Sequence, residues 1–337
     1  TSFLVTEALI YAALVIALVD SCVRITKGSI TISQALIVLM LSYSYFSSAQ
    51  QLMSASHSAL TAISAAGKVE EILDTDTTRP FDPSLPEDKE HFNGIRMEHV
   101  SYGYEGRARA LQDVSLTIPK GSVVALVGLS GCGKSTTASL LMRFCDASAG
   151  HIYMEGKDYH SMKPEELRKH IVMVPQQVNL FSGTIRENLL LADPDADDQT
   201  LMEAVKEAGL LKFVQSLEKG LNSDVGNAGA SLSGGQRQKI GIARALLSKA
   251  EYMIFDEATS SVDPESEKEI WDTISRLAHT RTLIIISHRM SSVRSAHCIY
   301  VLKDGQVAQQ GDHEALMAQD GLYRQLVLRQ QTMEVTE

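Results

Sequence analysis

The sequence predicts an α/β domain with a largely parallel sheet, preceded by α-helices suited to a membrane. Three observations carry this. From about residue 93 onward short apolar runs alternate with helical stretches, a glycine-rich loop follows one of those runs, and the first 73 residues hold two long apolar segments. The chain has 337 residues, of which 44% are hydrophobic, enough for two domains with at least one well-buried core. A formal charge of -10 argues against nucleic acid as the main partner, because backbone phosphates call for a basic face. The cysteines, Cys22, Cys132, Cys145 and Cys298, form no CxxC pair, so neither a disulfide framework nor a zinc site is expected.

Phe3 to Val19, FLVTEALIYAALVIALV, carries Glu7 as its only charge and reaches the lower length limit for a helix that crosses a bilayer. An ionisable group in a membrane is a functional candidate by default, and an interfacial place near the end of the chain is the other reading of Glu7. The chain opens on Thr1 with no basic stretch before this run, so a truncated start is expected rather than a secretory signal peptide. A first helix is expected over about 3–20. A second is expected over about 30–73, where there is no proline and Gly67 is the only glycine. At 1.5 Å per residue it would be about 60 Å long, roughly twice the hydrocarbon thickness.

Its composition changes along its length. Ala35 to Leu41, ALIVLML, suits lipid, whereas SYSYFSSAQQLMSASHS is studded with Ser, Gln and Tyr. Such groups are tolerated at membrane depth where they face other helices or a watery cavity. The second helix is therefore either part of a pathway wall or a helix that packs through small residues. Residues 74–92 contain three prolines and many charges without apolar periodicity, which marks a linker, and the soluble domain is expected over 93–337. Its strands are expected at Val123–Gly128, Ile171–Pro175, Tyr252–Asp256, Thr282–Ser287 and Ile299–Gly305. Continuous apolar strands separated by helices indicate a sheet covered on both faces, with ligands at the carboxyl ends of its strands.

GLSGCGKST, Gly128 to Thr136, follows the strand VVALV and runs into a helix, which is the context that a phosphate-binding loop requires. The fold class is thus an α/β P-loop NTPase. Its candidate phosphate-contacting residues are Gly128, Ser130, Gly131, Cys132, Gly133, Lys134, Ser135 and Thr136. Backbone amides and the helix N-terminus cradle the β-phosphate, Lys134 bridges the β- and γ-phosphates, and the Ser135 hydroxyl is a Mg²⁺ ligand. YMIFDE ends a buried strand in two acids. Asp256 is the expected Mg²⁺ partner, commonly through water, and Glu257 the expected base for the attacking water.

LSGGQRQ, Leu232 to Gln238, lies just upstream of that strand. Together with the phosphate loop it resembles the signature of the ATP-binding cassette (ABC) family. The resemblance implies an ABC-type ATPase domain with a helical subdomain, with ATP and Mg²⁺ as cofactors. It further implies a head-to-tail dimer in which Ser233, Gly234, Gly235 and Gln236 of one cassette meet the nucleotide held by the other. Tyr104 is similar to the aromatic residue on which adenine stacks, while Tyr102 is expected to point into the sheet. Gln176, with Gln177 as the neighbouring choice, looks like the glutamine that senses Mg²⁺ and the water. Asp263 resembles the acid that couples the two sites, and His288 the histidine that contacts the γ-phosphate.

Two positions depart from the family pattern. Gly226, Asn227, Ala228 and Gly229 stand where exporters often carry Gly-Glu-Arg-Gly, which puts the usual coupling contact in doubt. Cys132 replaces a frequent serine and reads as a small packing residue, with an oxidisable thiol as the other reading. The N-terminal helices resemble the last two of the six that exporter-type half-transporters place before their cassette. The resemblance implies ATP-driven export by a multi-pass protein of the cell (inner or plasma) membrane with its cassette in the cytoplasm. Its partners would be a second half-transporter in a homo- or heterodimer, membrane lipid and a transported substrate of unknown identity, with no nucleic acid. With the cassette in the cytosol, two spans put Asp20 to Gly28 in an outer loop, where Arg24 and Lys27 run against the positive-inside tendency. The alternative, a soluble non-transporting cassette ATPase acting on nucleic acid or ribosomes, has the acidic balance and the Phe3 to Val19 run against it.

Overall fold

The computed structural model describes residues 2–74, 81–83, 85, 92–104, 106, 109–259 and 262–334. Its contacts divide the chain into two units, Thr1–Thr78 and Arg79–Glu337.

The first unit is a helical hairpin, α1 (Ser2–Thr26) and α2 (Ile32–Asp74). The expected outer loop from Asp20 is largely helix. Asp20 accepts a 2.7 Å hydrogen bond from Arg24 one turn on, and no breaker occurs before Gly28, which has φ 70°. The start of α2 is set by Thr31 and Gln34. Thr31 Oγ1 accepts from the Gln34 N–H at 3.3 Å and Gln34 Oε1 accepts from the Thr31 N–H at 2.9 Å, a reciprocal cap. Ser21 on α1 and Ala35 on α2 are buried in the hairpin, where small residues let helices approach closely.

Among the described residues, α2 is the one helix long and apolar enough to cross a membrane. Its polar stretch satisfies itself in part. Ser48, Ser56 and Thr61 each donate to the carbonyl four residues back, at 2.9 Å. The side chains that open α1, Glu7 included, fall outside the described residues, as does most of the 74–92 linker.

The second unit runs β1 (Gly94–Gly103), β2 (Arg109–Pro119), β3 (Val123–Val127), α3 (Lys134–Leu141), β4 (Ala149–Met154), β5 (Lys157–Asp158), α4 (Pro164–His170) and β6 (Ile171–Val174). A helical stretch follows, with α5 (Ile185–Leu190), α6 (Asp198–Glu207), α7 (Leu211–Ser216) and α8 (Gly234–Leu247). The chain then returns through β7 (Tyr252–Asp256), α9 (Pro264–Leu277), β8 (Thr282–Ile286), α10 (Met290–Val293), β9 (Cys298–Lys303), β10 (Gln306–Gly311), α11 (His313–Ala318) and α12 (Leu322–Glu334).

The strand order of the main sheet is β10-β9-β3-β8-β7-β6, parallel throughout except for β10. All five expected strands lie in it. Because side chains alternate across a strand, each central strand feeds two cores. Val123, Ala125, Val127, Leu283, Ile285, Met253 and Phe255 join the core beneath α8, α9 and the helical stretch. Val124, Leu126, Ile284, Ile286 and Ile254 join the other.

That second core is closed by α3, α4 and an element that the sequence did not announce, an antiparallel sheet of order β2-β1-β4-β5. Its strands are half-exposed, and β1 and β2 slip register around His99 (φ 49°) and Asp113 (φ 55°), so the apolar alternation that reveals a strand is interrupted.

The first core yields a test. Phe255 is fully buried, and Trp271, the single tryptophan, packs against the same cluster, so its fluorescence reports on that core. Phe255→Ala is expected to destabilise the second unit by about 3–5 kcal/mol. The exposed Leu328→Ala is expected to stay within about 0.5 kcal/mol of the parent. Equal denaturation midpoints for the two variants would contradict this assignment of the core.

Candidate functional site

The order of four parallel strands assembles the site. Strands lie about 4.8 Å apart, so the segments that leave β3, β8, β7 and β6 are neighbours along one rim. These segments are the glycine loop, His288, the Asp256–Glu257 pair and Gln176. Main-chain bonds lock their starting points together. Glu257 N–H donates to Ile286 O at 2.8 Å, and Ser287 N–H donates to Leu126 O at 3.3 Å.

The loop closes tightly on itself. Gly128 has φ 150°, and a Cβ there would lie 2.4 Å from Leu302 O and 2.6 Å from Cys132 Sγ. Gly133, with φ 110°, stands at the start of α3, where a Cβ would meet Leu111 Cδ2 at 2.5 Å. No side chain caps α3, which leaves its first amides and the positive end of its dipole directed at the loop. The Lys134 ammonium is buried and reaches across the loop to Gly128 O at 2.8 Å and Leu129 O at 3.1 Å.

A cleft of about 710 Å³ opens over this loop. Of the candidate residues, Tyr104, Ser130, Gly131, Gly133, Lys134, Ser135, Thr136, Gln176, Asp256, Glu257 and His288 all line it. Glu257 meets two of the other lining residues. Its Oε2 accepts from Gln176 Nε2 at 3.3 Å, and its Oε1 lies 3.2 Å from His288 Nδ1. Glu257 adopts φ 46°, a left-handed backbone that costs a non-glycine residue about 1 kcal/mol or more and that aims its carboxylate at these partners. Asp256 is more deeply set. Burial, reinforced by the charge on Glu257, holds its carboxyl above the ordinary carboxylate range, and Lys134 partly opposes this.

Tyr104 offers a half-exposed ring. It is held edge-on to Tyr102, with centroids 5.0 Å apart, and its hydroxyl lies 3.3 Å from Thr136 Oγ1. Tyr102 packs against the second core on the same face of β1 as the buried Val100, whereas Tyr104 lies past the end of the strand. Sequence reasoning missed Arg109 and Ala110, which also line the cleft. Arg109 faces Gly103 across the β1–β2 hairpin, a juxtaposition that depends on a pairing the sequence does not signal.

Several candidate residues lie elsewhere. Gly128 and Cys132 shape the loop from beneath rather than lining the cleft, and Cys132 is buried with its sulfur against Gly128. Gln177 also stays out of the cleft and lines a second hollow beside Gly234, Arg237 and Ala228. The signature residues begin α8. Ser233 Oγ accepts from the Gln236 N–H at 3.2 Å while Gln236 Oε1 accepts from the Ser233 N–H at 2.9 Å, a capping box that occupies Gln236 within its own chain. Gly235 is a packing glycine, since a Cβ there would lie 2.6 Å from Ser266 Cβ on α9. Asp263 caps α9 by accepting from the Ser266 N–H at 2.9 Å, and that bond holds its carboxyl below its ordinary value.

The departing stretch, Gly226 to Gly229, is structured by its neighbours. Asn227 Oδ1 accepts from Ser182 Oγ at 3.2 Å, and Ala228 adopts a left-handed φ of 52°. This stretch therefore packs on the segment that follows Gln176, without either of the charges found in the family pattern.

Comparison with known proteins agrees with this geometry. The family described as ABC transporter matches residues 111–260. The human mitochondrial potassium channel ATP-binding subunit is 40% identical over 272 residues, 80% of this chain and 37% of its own. ABC transporter B family member 1 of Arabidopsis thaliana is 39% identical over 269 residues, 78% of this chain and 21% of its own. A solved structure of a bacterial Atm1-family ABC exporter with ATP bound superposes with a TM-score of 0.73 at 30% identity, covering 97% of this chain and 57% of that one. This chain thus spans about a fifth to two fifths of the curated relatives named here. The phosphate loop, the acid pair and the signature stand on a fold shared with these proteins, and the chain belongs to the ABC transporter family.

Proposed function

We propose that the chain is part of an exporter-type half-transporter that hydrolyses ATP to move a substrate across a membrane. One observation carries the reading: Gln176 and His288 both converge on Glu257 in the cleft that the glycine loop lines, whereas none of Ser233, Gly234 and Gly235 lines that cleft, and Gly234 lines an adjoining hollow that shares Gln176 with it. A γ-phosphate in this cleft lacks a signature helix of its own, so the site is completed by Ser233, Gly234 and Gly235 of a second half-transporter, identical or different. Asp263 at the start of α9 then sits where it can relate one site to the other. In that arrangement the first amides of α3 and Lys134 hold the β- and γ-phosphates, and Tyr104 supports the adenine.

Ser135, Asp256 and Gln176 are the residues that would hold Mg²⁺. They are hard oxygen donors, and a cation beside Asp256 relieves a carboxylate whose charge is otherwise made costly by burial and by Glu257. Among the described residues there is no cluster of three His, Cys, Asp or Glu suited to a metal, so the remaining ligands would be phosphate and water. The ion would neutralise charge on the phosphates. Glu257 takes the proton of the attacking water, His288 orients Glu257 and faces the γ-phosphate, and Gln176 fixes the other carboxylate oxygen.

Closure of two cassettes on two ATP molecules and their release on hydrolysis would bias the attached helices between two arrangements, which is alternating access by population shift. The protein would be multi-pass in the cell membrane, cassette in the cytoplasm, with the polar stretch of α2 lining the path or packing against other helices.

Glu257→Gln keeps shape but removes the base, so it should lower turnover by about 10²- to 10⁴-fold while ATP stays bound. Turnover equal to the parent would refute the catalytic assignment. Lys134→Ala should weaken ATP binding by about 10- to 100-fold in a binding titration, and unchanged affinity would rule out its phosphate role. Chelating divalent cations should stop hydrolysis and added Mg²⁺ should restore it, whereas turnover that persists in chelator would remove the metal from the scheme.

A further inference from the structure

Glu267, one turn into α9, joins the two catalytic segments without lining the cleft. Its Oε2 accepts from Nη1 of Arg289, the residue after His288. Its Oε1 accepts from the hydroxyl of Thr259 at 3.2 Å, two residues after Glu257. Thr259 is 3% exposed, so this hydroxyl has little recourse to water. Arg289 is also pinned by its backbone. Its N–H donates to Ser287 Oγ at 2.9 Å, and its carbonyl accepts from Ser292 Oγ at 2.6 Å. His288 therefore leaves β8 between two anchored residues, and Glu257 is followed by a third. One carboxylate ties Arg289 and Thr259 to α9.

We propose that Glu267 is a positioning residue that aligns Glu257 with His288 and makes that alignment depend on where α9 sits. The proposal rests on the catalytic reading of Glu257 given above. Its physical content is that the Glu257–His288 approach of 3.2 Å is between two segments from different strands, and hydrogen bonds tolerate little misplacement. α9 is also the helix that Asp263 caps and against which Gly235 packs, so a displacement of its first turn reaches both catalytic segments through Glu267. If the carboxylate merely fastened α9 to the domain, its loss would lower stability and leave the turnover of folded protein intact.

The test is Mg²⁺-ATP turnover of the full chain carrying Glu267→Ala, Glu267→Gln, Thr259→Val or Arg289→Ala, with ATP affinity and melting temperature measured in parallel. Glu267→Ala is expected to lower kcat about tenfold or more, with KM and ATP affinity within about twofold of the parent. Glu267→Gln, whose amide can still accept from Arg289 and donate to the Thr259 hydroxyl, is expected to recover most of the rate. Adding Arg289→Ala to Glu267→Ala should cost little more, because both remove one linkage. A folded Glu267→Ala with parental kcat, or one that loses kcat and ATP affinity together, overturns the proposal. Should that variant fail to fold, Thr259→Val decides, with a loss of about three- to tenfold in kcat expected and parental kcat contradicting it. Glu257→Gln run alongside separates the two readings. If it turns over like the parent, the base assignment and this proposal fall together, whereas an inert Glu257→Gln beside a parental Glu267→Ala removes the positioning role alone.

Discussion

Parallel pairing in the order β3, β8, β7, β6 is the constraint on which the site depends. It brings the glycine loop, His288, the acid pair and Gln176 to one rim, and two main-chain bonds across the strand ends hold them there. The apolar strands do the holding. Each central strand is buried on both faces, so sliding one by a single residue would exchange its two cores. Against that stable background the rim tolerates local cost. Glu257 keeps a left-handed backbone and Asp256 a carboxylate whose charge burial disfavours, and both costs fall where chemistry is expected.

The same fold keeps the signature away from the glycine loop within one chain. The signature opens α8, which the second hollow and the packing of Gly235 on α9 place outside the cleft over the glycine loop. α8 is nonetheless tied to the loop that carries Gln176, since Gln238 Nε2 donates to Pro175 O at 3.1 Å. Short side-chain contacts therefore join α8 to the loop of Gln176, and α9 to the segments that carry Glu257 and His288.

Much of this was legible in the residues. The five buried strands announced themselves because parallel strands covered on both faces read as continuous apolar runs, and the glycine loop because few other contexts place GxxxxGKS between a strand and a helix. The antiparallel sheet was hidden by its half-exposed strands and by the bulges at His99 and Asp113. Arg109 was missed for the same reason, since only the β1–β2 pairing brings it to the cleft. The resemblance gave Gln236 and Asp263 roles toward nucleotide and toward the second site; within the chain they also cap α8 and α9, which the resemblance does not encode. The link from Glu267 to Thr259 and Arg289 joins residues 8 and 22 positions apart on separate elements, and no local spacing encodes it.

The composite site is the central claim, and mixing copies tests it most directly. Lys134→Ala disables a glycine loop, and Ser233→Arg blocks a signature. Two differently tagged copies of the whole half-transporter are co-purified, with the changes either on separate copies or together on one copy beside an unaltered partner. If each nucleotide lies between two copies, separate changes leave one intact site and ATPase activity remains, while changes together on one copy spoil both sites and abolish it. Activity that survives with both changes on one copy, and vanishes when they are separated, would place each nucleotide within a single chain and contradict the account.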